Sequence, residues 1–167
     1  MSQPSILLLA RADGRRVDTP FSQQALSAAD PFAASRQVAW SGSDGVSAGI
    51  IDGRHAVASD DYPHSETIVV HSGQVTLKTP DQTLQLTVGG SAVIGRGSVV
   101  QIEAQDGTQW AFCSVTTALP TPGLTLLDPL ALLSPSAAPE PQILIGPTPQ
   151  CRSRNAFEDN ATDLRVG

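Results

Sequence analysis

The rhythm of residues 38 to 117 most constrains what this chain can fold into. Short runs rich in Val, Ile, Leu and Thr alternate with clusters of Gly, Asp or Pro, the pattern of many short strands joined by turns. Val46 to Ile51, Thr67 to His71, Gln74 to Thr79, Thr83 to Val88, Ser91 to Ile94, Ser98 to Ala104 and Gln109 to Thr116 read as strands. No amphipathic helix of three turns competes with them. On both sides of Pro80-Asp81-Gln82, the segments Val75 to Thr79 and Thr83 to Val88 alternate apolar and polar residues. That is a hairpin with one face on a core. The expected class is antiparallel all-β, closed into a barrel or jelly roll so that few edges stay open.

The flanks have a different texture. Ile6 to Ala10 reads as a short buried strand, and Gln23 to Ala29 is the only stretch before residue 35 with the makings of a helical turn. Beyond Thr117, closely spaced prolines from Pro120 to Pro149 with Ala and Ser between them predict an extended linker over 118–150. Residues 151–167 partly repeat an earlier segment. Ser35-Arg36-Gln37-Val38-Ala39-Trp40 aligns with Arg152-Ser153-Arg154-Asn155-Ala156-Phe157, an acidic turn follows in each, and the copies then reach Ala48-Gly49 and Val166-Gly167. The expected organisation is an N-terminal extension (1–34) with an edge strand exchangeable between copies, a barrel (35–117), a linker (118–150) and the start of a second module (151–167).

Composition narrows the partners. A chain of 167 residues is long enough to bury one sizeable core. Lys plus Arg is 10 against 16 for Asp plus Glu, a formal net charge of −6, with Lys78 the single lysine. Nucleic acid is therefore not an expected partner, because phosphate binding needs clustered positive charge. The apolar runs fall far short of the ~20 residues that cross a bilayer, so no membrane partner is expected. Cys113 and Cys151 stand in no CxxC or Cys/His cluster, which predicts a cytoplasmic setting without a disulfide framework. Cys113 is expected to be a small buried hydrophobe.

The stretch Asp61-Tyr62-Pro63-His64-Ser65-Glu66, followed by Gly73-Gln74-Val75, resembles the first motif of the cupins, in which a Glu is followed after six residues by a Gly; here these are Glu66 and Gly73. Gly89, Gly95 in place of a Pro, and Gly97 resemble the second motif. The likeness covers about residues 35 to 117 and is nearest to the ureidoglycine aminohydrolase and ethanolamine-utilisation type. It implies a double-stranded β-helix of jelly-roll type, a homodimer with exchanged strands in which Ile6 to Leu9 is the exchange segment, and a two-cupin parent protein.

The resemblance also implies where a metal would sit, and the residues there depart from the pattern. Metal-binding cupins supply HxH, a Glu shortly after, and a His in the second motif. Here the HxH positions hold Asp60 and Tyr62, or Ser59 and Asp61, and the later His position holds Val100. No metal is therefore expected with confidence, and His64 and Glu66 are the weak candidate ligands for a divalent ion. A strand period of two would put Tyr62, His64 and Glu66 on one face. Such a cluster would let His64 and Glu66 hydrogen-bond each other, bind a ligand, or work as an acid–base pair with a charged imidazolium. With Val100, Trp110 and Phe112 they form the candidate ligand pocket, although Trp110 and Phe112 also suit core filling. His71 falls on the opposite parity from Glu66, and His55 is a minor candidate ligand.

Three functional readings stay open. The first is a small-molecule binding or structural module with a degenerate metal site. The second is a metal-dependent cupin enzyme, of ureide hydrolase or sugar-modifying type, completed by a second module. The third is a pure assembly role.

Overall fold

The computed structural model describes residues 6–11 and 13–127, together with the short strands 143–144, 152–153, 157–159 and 164–166. In chain order the strands of the main body are β1 (Ser22–Gln23), β2 (Arg36–Ser41), β3 (Val46–Asp52), β4 (His55–Ser59), β5 (Ser65–Ser72), β6 (Val75–Lys78), β7 (Thr83–Leu86), β8 (Ser91–Ile94), β9 (Val100–Ala104), β10 (Gln109–Val115) and β11 (Leu124–Leu127). They pair antiparallel into a seven-stranded sheet, β1-β2-β3-β10-β5-β8-β11, and a four-stranded sheet, β4-β9-β6-β7. The eight strands β3 to β10 thus split as 3-10-5-8 against 4-9-6-7. This is the strand order of a jelly roll, the double-stranded β-helix.

Alternation explains why the sheets close on each other. Along β9, Val100, Ile102 and Ala104 are buried while Gln101 and Glu103 are exposed. In β10, Trp110, Phe112 and Ser114 point in. Val75 and Leu77 of β6, and Ile68 and Val70 of β5, complete the same core. Each fully buried Val, Leu or Ile stabilises the fold by ~1.5–3 kcal/mol relative to an exposed one. The Thr79–Gln82 turn closes the β6–β7 hairpin, with Thr79 N–H donating to the Gln82 carbonyl at 2.8 Å. Gly73 turns β5 into β6 at φ +71°, and a side chain there would also press on Thr108.

The strands predicted between residues 46 and 116 are all present, with ends shifted by a residue or two. Three strands of four or more residues lay outside that reading: β2, β4 and β11. The last lies inside the expected linker, and it pairs with β8 from Leu124↔Ile94 to Leu127↔Ser91. The start of the barrel differs as well. Asp30 and Phe32, in the expected extension, are buried in the core, because the turn over residues 26–35 folds them under β2. Ile6 to Ala10 forms no strand within the chain, and Ile6 is 86% exposed. Gln23 to Ala29 forms β1 and turns rather than a helical turn. Cys113 is exposed, not buried. Phe112 takes the inward position, so Cys113 faces out between Ala48 and Thr67.

Further along, β12 (Ile143–Leu144) pairs with β13 (Arg152–Ser153), and β14 (Phe157–Asp159) with β15 (Leu164–Val166). Among the described residues, no helix is long and apolar enough to cross a membrane.

Candidate functional site

Two inward positions of the seven-stranded sheet, Arg36 on β2 and Glu66 on β5, carry charge instead of hydrocarbon. Arg36 opens β2 in phase with Val38, so the alternation that buries Val38 also buries the guanidinium. Its Nε and Nη2 donate to the two oxygens of Asp30 at 2.8 and 3.1 Å, and Nη1 donates to Glu66 Oε2 at 2.8 Å. All three side chains in these ion pairs are fully shielded from solvent. The Tyr62 hydroxyl donates to Glu66 Oε1 at 3.0 Å. Both carboxylates and all three kinds of guanidinium nitrogen are therefore partnered, which is what lets such a group stay buried.

Packing fixes the geometry. The Phe112 ring lies 4.3 Å from the Arg36 guanidinium carbon, a cation–π contact. Gly49, opposite both Val38 and Phe112 in the sheet, makes room for it. A Cβ there would collide with the Gln37 carbonyl and come within 2.9 Å of the Phe112 ring. Asp30 is held by its own turn, its oxygens accepting from the N–H groups of Leu26 and Phe32 at 2.9 and 3.0 Å. The loop bearing Tyr62 is tied to the second-motif turn. Tyr62 N–H donates to the Ser98 carbonyl at 3.0 Å, and Gly97 N–H donates back to the Tyr62 carbonyl at 2.8 Å.

Protonation follows from these contacts. Burial pushes the Asp30 pKa up, but the Arg36 hydrogen bond and charge, with the two backbone N–H donors, outweigh it and hold the carboxyl below its ordinary 3.8. Burial works against the Arg36 cation, and the charges of Glu66 and Asp30 overcome it, so Arg36 stays protonated. Tyr62 is driven well above its usual range, first by burial and then by the Glu66 charge, so it remains a hydroxyl donor.

The structure brings Tyr62, His64 and Glu66 together, but not as one face of a strand, since β5 begins at Ser65 and Tyr62 and His64 lie in the loop before it. Nor do His64 and Glu66 bond each other. Both Glu66 oxygens are taken by Arg36 and Tyr62, and both ring nitrogens of His64 are buried without a partner. The expected imidazolium is also corrected. Burial lowers the His64 pKa below 6.5 and outweighs the opposing pull of Glu66, so the ring is neutral near pH 7.

The other candidates fall into the core. Val100 is an apolar wall residue of the four-stranded sheet. Trp110 packs edge-to-face with Phe32 and with His55, at 5.6 and 5.3 Å between ring centres, while His55 Nε2 lies 2.9 Å from the Asp52 carbonyl. Phe112 supports Arg36 rather than lining an open pocket. His71 is half-buried on the outer side, in an open cleft of about 1270 Å³ beside the N-terminal segment.

A divalent ion of the cupin kind does not fit this donor set. It would have to displace Arg36 or Tyr62 from Glu66, and would then stand beside a buried guanidinium. Among the described residues, no three His, Cys, Asp or Glu side chains converge as a metal site. Sequence reasoning missed Arg36 and Asp30. The available signal was an Arg in inward phase with Val38, six residues after an Asp.

No family model and no curated protein matches the chain. Among solved structures, a protein of unknown function of the DUF861 family from Pseudomonas syringae pv. tomato superposes with a TM-score of 0.84. It is 47% identical, over 98% of this chain and 70% of that one. A cupin-2 domain containing protein from Shewanella frigidimarina is 20% identical, over 49% of this chain and 80% of that one, at a TM-score of 0.39. A double-stranded β-helix protein from Klebsiella pneumoniae is 16% identical, over 75% of this chain and 99% of that one, at 0.42. Its fold is a double-stranded β-helix, and by the likeness to the Pseudomonas protein the chain belongs to the DUF861 family.

Proposed function

We propose that this barrel is a small-molecule binding module that works without a metal ion. The observation that carries the reading is the occupation of both Glu66 oxygens by Arg36 and Tyr62, with His64 left unpartnered beside them. Arg36 supplies the positive charge that Glu66 needs, and His64 is the group free to meet a ligand. A melting-temperature screen of small polar molecules in the presence of EDTA tests this. The expected result is a ligand that raises the Tm without added metal and loses its effect in Glu66→Gln. Ligands that act only after Mn, Fe, Ni or Zn is supplied would overturn it.

The second reading, an enzyme completed by a second cupin module, is favoured by one observation. Trp40 pairs with Ala48 across β2–β3, and Phe157 pairs with Val166 across β14–β15. Each aligned aromatic thus sits in an antiparallel hairpin closed by a short turn, although the two hairpins differ in register and Arg152–Ser153 pairs with β12 instead. Turnover or metal binding gained only by a chain that carries a further cupin barrel would move this reading ahead. A homodimer and a cytoplasmic setting remain part of the proposal. Sedimentation checks the first, and a monomer unchanged on dilution would refute it. Fractionation checks the second.

A further inference from the structure

Three buried polar atoms beside the charged cluster have no partner: His64 Nδ1, His64 Nε2 and Ser114 Oγ. Both neighbour Glu66, since His64 precedes it by two residues and Ser114 is its direct cross-strand partner on β10. His64 is 1% exposed and Ser114 2%. Leaving a buried donor or acceptor unmade destabilises the fold, while the neighbouring Asp30, Arg36, Tyr62 and Glu66 have partners for their side-chain polar atoms. Among the direct neighbours of Glu66 the shortfall falls on these two residues; Ser27 Oγ and Thr121 Oγ1 are the other unpartnered buried atoms among the described residues.

The charge around them restricts what can fill it. Asp30 and Glu66 carry two negative charges, Arg36 carries one positive charge, and all three are committed to one another. A further cation, Arg96, is bonded to the Thr117 carbonyl, which leaves its charge in place. With it the positive and negative charges around His64 are equal in number, so the surroundings favour neither an anion nor a cation. A cation would compete with Arg36 for a carboxylate that already has two partners. The neutral imidazole offers one N–H donor and one lone pair, and the serine hydroxyl can do either.

We propose that His64 and Ser114 form the polar subsite for a small uncharged molecule that carries both a hydrogen-bond acceptor oxygen and an N–H or O–H donor. The inference rests on the binding-module reading and names its ligand class.

The test is NMR of the 15N-histidine-labelled chain, following the His64 ring nitrogens during titration with acetamide, acetate and methylammonium in EDTA. Acetamide is expected to shift both ring nitrogens saturably, with at least tenfold weaker binding in Ser114→Ala, while the two ions leave them unmoved. Saturable shifts by acetate or methylammonium at lower concentration than acetamide would overturn the uncharged class and leave the binding module standing. His64 signals that answer to none of the three would overturn the subsite. Loss of acetamide binding in Ser114→Ala counts only if that variant keeps the wild-type melting temperature. Ser114→Thr, which retains the hydroxyl on a strand, is expected to restore binding.

Discussion

The two sheets look onto the same interior with different chemistry. The four-stranded sheet lines it with Val75, Leu77, Leu86, Val100, Ile102 and Ala104, with His55 against Phe32 and Trp110 and no buried charge. The seven-stranded sheet adds Arg36, Glu66 and Ser114 at positions that obey the same inward alternation. Alternation therefore decides which side chains enter the barrel, and residue type at those positions decides whether the wall only packs or also recognises. A buried ion pair is weak support for stability, which is in keeping with the binding role proposed for this wall.

The largest separation of the two walls is expected from Arg36→Met. It leaves Asp30 and Glu66 buried without their cation, and the loss should be ~3–5 kcal/mol in urea unfolding. A loss below ~1 kcal/mol would mean that the cluster is solvated. Leu77→Ala, on the apolar wall, should cost ~2–5 kcal/mol through the cavity it leaves. Unlike the Arg36 change, it should leave the pH dependence of stability unaltered.

Tyr62→Phe removes the donor to Glu66 Oε1 and should cost ~1–3 kcal/mol, again by urea unfolding; an unchanged midpoint would break the proposed network. The smallest effect is the pH slope set by His64. Its native pKa is depressed below 6.5 by burial, so the unfolded chain binds the proton first. Stability from this group is complete above pH 6.5, falls as the pH drops from there to the native pKa, and levels off below it. His64→Phe should flatten that part of the curve relative to wild type, and an unchanged slope would contradict the neutral, buried ring. Asp30 has the same sign at lower pH, its contribution fading as the pH falls through and below 3.8.

Much of this was legible before any coordinates. Period-two runs such as Val75-Thr76-Leu77-Lys78 announced the strands, and Glu66 with Gly73 announced the first motif. The misses have local physical causes. β2 and β4 begin with Arg36 and His55, polar residues that hide a strand from a hydropathy reading. β11 is four residues set among prolines, and it exists because β8 offers it an edge. The Asp30–Arg36–Glu66 network joins positions 6 and 30 residues apart in the chain. Parity alone could bury Arg36, but only the β2-β3-β10-β5 order brings it to Glu66. His64 was found, yet its partner was misassigned, because a Glu nearby in sequence says nothing about which cation has already claimed it.

The most direct test of the account is the metal content of the protein purified without an affinity chelate, by elemental analysis, with Glu66→Gln in parallel. The account predicts less than a tenth of an equivalent of any transition metal in both samples, because Arg36 and Tyr62 hold the Glu66 carboxylate. One equivalent of metal in the wild type that disappears in Glu66→Gln would contradict it.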